Sequence, residues 1–199
     1  MRATVRTTVT IACAGLLLAA CTTPEPEPTP AAATSAAPSP TPTPTATASG
    51  PIDRSDEALG IRFEDLPDVT GDARAALDVY TLFEVEFWRS TTDGAVAGTL
   101  EAVAAPAVLD VVRTQVDGNA GLDIGGRTSV RFLDVQADAV TATIRTCNDS
   151  TGAVVTLADG TTRTGAEVGA APAVVVTGLT KTPDLPWQVT TTDNTGEPC

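Results

Sequence analysis

The sequence predicts an α+β domain in which helices come first and pack on a curved antiparallel β-sheet. Three observations carry that prediction. Residues 1–51 read as a leader and a linker, which leaves one domain over 52–199, ample for one core and too short for two. Between 71 and 118 the apolar residues recur at the helical period. Beyond Gly125-Gly126 the period drops to two, with turn residues between short apolar runs. Helices followed by consecutive strands are the signature of α+β architecture.

The chain opens MRATVRTTVTIACAGLLLAAC. Arg2 and Arg6 make a basic start, and Val9 to Leu18 make an apolar run. That run is too short to cross a hydrocarbon core of about 30 Å, which takes about 20 apolar residues. Leu18-Ala19-Ala20-Cys21 resembles the lipobox of bacterial lipoproteins. The resemblance implies that the Cys21 thiol receives a diacylglycerol, that residues 1–20 are a cleaved signal peptide, and that Cys21 begins the mature chain. It places the protein on the outer face of the cytoplasmic membrane, lipid-anchored in the cell envelope. The plainer reading is an ordinary cleaved signal with an incidental Cys.

The formal charge is −13, and loss of Arg2 and Arg6 makes the mature chain more acidic still. Such a chain cannot bind nucleic acid by releasing counterions from phosphates. Anionic head groups repel it as well. Acyl chains on Cys21 must therefore hold it to the membrane, and more than one chain is needed for stable anchoring.

Residues 21–51 comprise that Cys and a stretch rich in Pro, Thr, Ser and Ala, with no aromatic or large aliphatic side chain. Burial cannot offset the ordering entropy of such a segment. It reads as an extended, disordered stalk, on the order of 90 Å at about 3.1 Å per residue. It serves as a spacer through the wall, or as a tolerated low-complexity linker open to O-glycosylation.

The domain begins with an irregular lead-in, Ile52 to Thr70, whose Ile61, Phe63, Leu66 and Val69 are placed to pack down on it. Residues 71–91 form the first helix. Ala73, Ala76, Leu77, Tyr80, Phe83 and Phe87 align on one face, and Thr91 to Gly94 end it. A second helical stretch covers 98–118, with Leu100, Val103, Ala104, Ala107, Val108, Val111 and Gln115 on one stripe. Pro106 splits it, because Pro lacks an N–H and clashes with the preceding turn. The result is a short helix over 98–104 and a second one with Pro106 at its first position. Strands follow at 128–136, 140–147, 153–157, 161–164, 173–181 and 187–192, and Asp159-Gly160 predicts a type I′ hairpin turn.

Cys13 belongs to the leader and Cys21 carries lipid, so Cys147 and Cys199 remain. In an oxidising compartment two remaining cysteines suggest a disulfide. Two free thiols are the alternative. A metal site has little to build on, since there is no His and no CxxC.

The order of elements resembles the NTF2-like (cystatin-like) cone, and in particular the small actinobacterial lipoproteins built on it. Cys147-Asn148-Asp149-Ser150 matches a Cys-x-Asp-Ser run at the end of their second long strand. Trp187-Gln188-Val189 matches a late strand with a Trp, and Gly196-Glu197-Pro198-Cys199 matches a near-terminal Gly-x-x-Cys. The resemblance covers about 71–199. It implies a fold and the same disulfide, and it implies little about activity, because one fold hosts many functions.

Little catalytic chemistry is available. Without His there is neither the commonest general base nor a Ser-His-Asp triad. Lys181 is the sole Lys, at a predicted strand end, and reads as a solvated surface residue rather than a Schiff-base former. Carboxylates remain. Ketosteroid isomerase-like members of the resembled fold use a carboxylate base beside a proton donor inside the cone. The corresponding candidates are Asp78, Tyr80, Glu84 and Glu86, with Tyr80 and Glu84 on one flank. The competing reading has Glu84 and Glu86 in solvent and Tyr80 as a core aromatic bonded to backbone. Asp149 reads as a turn-capping residue. Asp65, Asp68 and Asp72 lack the spacing of a calcium loop and read as a charged surface stretch. Trp88 and Trp187 either line a cavity, with Tyr80 and Glu84, or pack in the core.

These observations point to a membrane-anchored extracytoplasmic lipoprotein whose domain is a non-catalytic binding or interaction module. Its partner would be an envelope protein, a wall component or a small apolar ligand, with no cofactor. The alternative is an isomerase- or dehydratase-like enzyme using carboxylates in the cone. The two differ in one respect: an enzyme needs a buried carboxylate paired with a Tyr or second acid and facing an open pocket, which a cone filled with Val and Leu would not provide.

Overall fold

The computed structural model describes residues 52–183 and 185–199. The readings that fall on 1–51, namely the signal peptide, Cys21 and the stalk, lie outside the described residues. Within them the chain runs β1 (Ile61–Glu64), α1 (Gly71–Asp93), α2 (Leu100–Val103), α3 (Pro106–Gly118), then β2 (Asp123–Gly126). It continues as β3 (Thr128–Ala137), β4 (Thr141–Asp149), β5 (Ala153–Thr156), β6 (Thr162–Thr164), β7 (Ala173–Thr180) and β8 (Gln188–Pro198). The α+β class holds, and the helices precede every strand but β1.

Helix α1 forms where the aromatic stripe predicted it and ends at Gly94, whose left-handed conformation costs a residue without Cβ nothing. Ala76, Leu77, Tyr80 and Phe83 are buried, while Ala73 and Phe87 are half-buried. The helix is covered on more than one side, since Val85, Glu86, Trp88 and Ser90 are buried too. Pro106 does start α3. The buried face of α3, however, is Val108, Leu109, Val112 and Val116, while Ala107, Val111 and Gln115 are exposed. The stripe is thus rotated by about one residue from the predicted one. Val108, Leu109, Val112 and Val116 make their own stripe at helical spacing, which restarts at Pro106 instead of continuing the one from α2. Just before it, Ala105 N–H donates to Val189 O at 2.8 Å and ties the helix start to β8.

Five strands form one sheet in the order β1-β3-β4-β7-β8, and three form a second in the order β2-β5-β6. Three features differ from the single meander expected. The lead-in contains β1, paired parallel to β3, with Ile61 and Phe63 buried beneath it. Four residues with two apolar ones carry too little alternation to announce a strand. The Gly125-Gly126 break is itself part of β2, which pairs antiparallel with β5; glycine disfavours strands, and only the partner makes this one. Finally, β5 and β6 leave the main sheet to join β2, so β4 pairs directly with β7.

The Asp159-Gly160 hairpin also forms with a different turn. Gly160 N–H donates to Leu157 O and Leu157 N–H to Thr161 O, each at 2.9 Å. Gly160 has φ +82, and Asp159 has no positive φ, which a type I′ turn would require. The loop is a three-residue connection, a type I turn followed by a left-handed glycine. Asp159 accepts the Thr161 N–H, which holds its carboxyl below the usual range.

Bulges curve the main sheet. Between Phe132 and Asp134 the register with β4 slips, leaving Leu133 unpaired and exposed, and β7–β8 slips twice. The concave face wraps α1 and is graded along its length. One end is packed solid by Ala142, Ile144, Leu179 and Val189. The other carries Asn148, Val175, Thr192 and Asn194 and is not filled by α1. On the convex side Cys147 and Cys199 form a disulfide, Cα–Cα 5.8 Å, tying the end of β4 to the residue after β8.

Candidate functional site

The unfilled end of the concave face is a cleft of about 720 Å³. Helix α1 contributes Phe83, Glu84 and Phe87 to it, and α3 contributes Val111, Val112 and Gln115. Alternation along the strands brings in Asn148 from β4, Ala173 and Val175 from β7, and Thr192, Asn194, Gly196 and Pro198 from β8. The turn over 169–172 forms the rim. Its walls are mixed: Phe83, Phe87, Val111, Val112 and Val175 give apolar surface, Gln115, Asn148, Thr192 and Asn194 give polar groups, and Glu84 is the one ionisable residue lining it among the described residues.

Glu84 is 6 % exposed, so the solvated position expected of it is corrected; Glu86 is buried as well. Burial pushes the Glu84 carboxyl up to about 7, while side-chain hydrogen bonds with Tyr80 and Asn148 pull it partly back. Among the described residues none of the ion pairs involves Glu84. Tyr80 is fully buried one turn away, and its hydroxyl shares a 3.0 Å hydrogen bond with Thr146 Oγ1. That partner is a side chain, where a backbone group was expected. Thr146 in turn donates to Asn148 Oδ1 at 2.7 Å. Burial, and then the neighbouring Glu84 charge, raise the Tyr80 hydroxyl well above its ordinary value. Glu84, Tyr80, Thr146 and Asn148 are therefore one connected polar network, of which Glu84 and Asn148 line the cleft.

The structure brings together Tyr80 and Glu84, and it keeps both tryptophans out of the cleft. Trp88 is buried and donates from Nε1 to Leu59 O at 2.9 Å. Trp187 is buried with Lys181 Nζ 5.8 Å from its ring centroid, and its Nε1 has no partner among the described residues. Neither lines the cleft, so the cavity-lining reading of Trp88 and Trp187 is corrected to core packing. Lys181 is partly exposed and pairs with Asp72 at 3.0 Å. Asp78, the other acidic candidate on α1, is held by Arg74 at 3.0 Å. Asp149 accepts the Thr151 N–H at 2.8 Å, the expected turn cap.

Sequence reading missed Asn148 and the α3 residues Val111 and Gln115 as site residues. Asn148 carried a signal: it continues the alternation Ala142, Ile144, Thr146 by one step and so faces inward. A larger hollow of about 880 Å³ lies along β1, but charged groups of both signs line it, including Glu57, Arg62, Arg127 and Asp149. The α1 cleft instead combines apolar and polar walls, converging polar groups and a buried carboxyl with a raised pKa.

No protein-family model matches this chain, and no curated protein matches it. Among solved structures, the intermembrane space region of the chloroplast protein ARC6 is similar at 12 % identity, over 65 % of this chain and 100 % of that one, with a TM-score of 0.47. At that level the similarity bears on neither function nor the finer fold.

Proposed function

We propose that this protein is a lipid-anchored, extracytoplasmic binding module, whose domain is an NTF2-like cone that takes a small, largely apolar molecule in its open end. The observation that carries the reading is the cleft of about 720 Å³ with Glu84 and Asn148 converging on it from α1 and β4. A packed cone would have left no such space; this one is filled at one end and open at the other. The element order, a long helix and two short ones laid on a concave sheet, is consistent with the cone. The Leu18-Ala19-Ala20-Cys21 run supports the anchor and the envelope location.

Native mass spectrometry of the protein released gently from its own membrane tests both parts. The binding reading expects a mass above that of the acylated chain, lost on denaturation. A bare mass with no small molecule retained, together with no ligand competition at the cleft, counts against it. Labelled palmitate is expected in the chain and absent from Cys21→Ser, which should also leave the membrane fraction.

One observation favours the enzymatic alternative: a carboxyl near neutrality beside a tyrosine hydroxyl, in the manner of an acid and base pair. Against it, Tyr80 is fully buried, is bonded to Thr146 and does not line the cleft, so its hydroxyl cannot touch a substrate there. Deuterium exchange into cyclic ketones at neutral pD, abolished in Glu84→Gln, would reverse the order of the two readings.

A further inference from the structure

We propose that the cleft selects a largely apolar molecule bearing one protonated amine, and that Glu84 is the group that receives it. The inference rests on the reading of the cleft as a binding site and adds the chemistry of the head group. A carboxylate offers about four acceptor positions. Tyr80 and Asn148 occupy part of that capacity, and Glu84 is among the residues that line the cleft. An ammonium placed there forms a charge-assisted hydrogen bond with the site's one ionisable side chain.

An anionic head group has no such partner. Among the described residues no Lys or Arg lines the cleft, so a carboxylate or phosphate entering it would meet no cation beside Glu84. The other elements that line the cleft contribute neutral side chains: Asn148 on β4, Val112 and Gln115 on α3, Val175 on β7 and Thr192 on β8. Tyr80 is the one further titratable group in contact with it, and it stays protonated at neutral pH. At longer range the formal charge of −13 draws cations toward the protein and repels anions.

The test is isothermal titration of the full chain with three probes sharing one apolar cage: 1-adamantanemethylamine, 1-adamantanemethanol and 1-adamantanecarboxylate. At pH 8 the amine should bind about tenfold or more tighter than the alcohol, and the carboxylate weakest. Between pH 8 and pH 6 the amine should weaken about tenfold as Glu84 takes up its proton, while the alcohol changes little. Glu84→Gln should bring the amine down to the level of the alcohol and remove its pH dependence; circular dichroism checks that the variant is folded. A carboxylate that binds as tightly as the amine, or an amine preference that survives Glu84→Gln, overturns the head-group assignment and leaves the cleft reading standing. If none of the three binds, the cleft reading fails and this inference with it.

Discussion

Glu84 and Glu86 stand two residues apart on α1, both are buried, and they do opposite things. Two residues turn a helix by about 200°, so the pair faces opposite flanks. On the outer flank Glu86 accepts the Thr99 hydroxyl at 2.6 Å and lies 3.5 Å from the Arg89 guanidinium. On the sheet flank Glu84 meets hydroxyl and amide groups, no ion pair and an open cleft. One carboxylate is satisfied locally, and the other keeps acceptor capacity for something outside the fold. Burial of a charge is thus no mark of a site by itself. What distinguishes the sheet flank is burial without a counter-ion, next to space.

The largest expected effect tests how much the sheet flank depends on covalent support. Asn148 follows Cys147, and Pro198 at the cleft rim precedes Cys199. The bridge closes a loop with a sequence separation of 52. In the chain-entropy model a loop of about that size contributes roughly 4 kcal/mol, often less in practice. Cys147→Ser with Cys199→Ser should lower stability accordingly. Hydrogen exchange should rise first in β4 and β8, while the outer flank of α1 around Glu86 and Ser90 stays protected. Uniform exchange across both flanks would remove the distinction.

Next comes the charge itself. The Glu84 carboxyl sits near 7 when folded and near 4.5 when unfolded, so the folded state holds the proton more tightly. Stability contributed by its neutral form is complete below about pH 4.5 and is lost as pH rises toward 7. Glu84→Gln, which stays neutral, should therefore stabilise the protein by about 2–3 kcal/mol at pH 8 and by almost nothing at pH 4. Urea unfolding at the two pH values reads this directly; the same difference at both would show that Glu84 carries no buried charge.

The outer flank predicts the opposite sign. Glu86→Gln weakens a charge-assisted hydrogen bond and a guanidinium contact, and should cost about 1–2 kcal/mol at pH 8. If both variants moved stability in the same direction, the contrast between the flanks would be wrong. Smaller still are two hydroxyl deletions on the sheet flank. Tyr80→Phe should cost about 1 kcal/mol by leaving Thr146 one partner short. Thr177→Val should gain up to about 1 kcal/mol, because the buried Thr177 hydroxyl has no partner among the described residues. Thermal unfolding of the two variants separates them by sign.

Much of the fold was legible because its signals are local. The α1 stripe, the Pro106 break and the strands from 128 onward follow from periodicity and from what proline forbids. The parts that were not legible are made by pairing across the chain. β1 exists because it lies beside β3, and β2, with two of its four residues glycine, exists because β5 holds it. The α3 face was misread because the predicted stripe was carried through from α2, whereas the break at Pro106 lets α3 bury its own stripe of Val108, Leu109, Val112 and Val116. Of the named site residues, Tyr80 and Glu84 came together as one flank of a helix requires. Trp88, four residues after Glu84, and Trp187 pack in the core instead of lining the cleft, because a large apolar ring gains most by full burial.

By itself the sequence determined the class of fold, the helix that forms its spine, the pairing of Cys147 with Cys199 and the lack of His-based chemistry. Each depends on residue type or on neighbours a few positions apart. The tertiary structure alone decided whether the concave face was open or filled, and which of two buried glutamates faced the opening. Those outcomes depend on side-chain volumes and hydrogen-bond partners that meet across the sheet from positions such as Tyr80 and Thr146, 66 residues apart. No local pattern encodes that meeting.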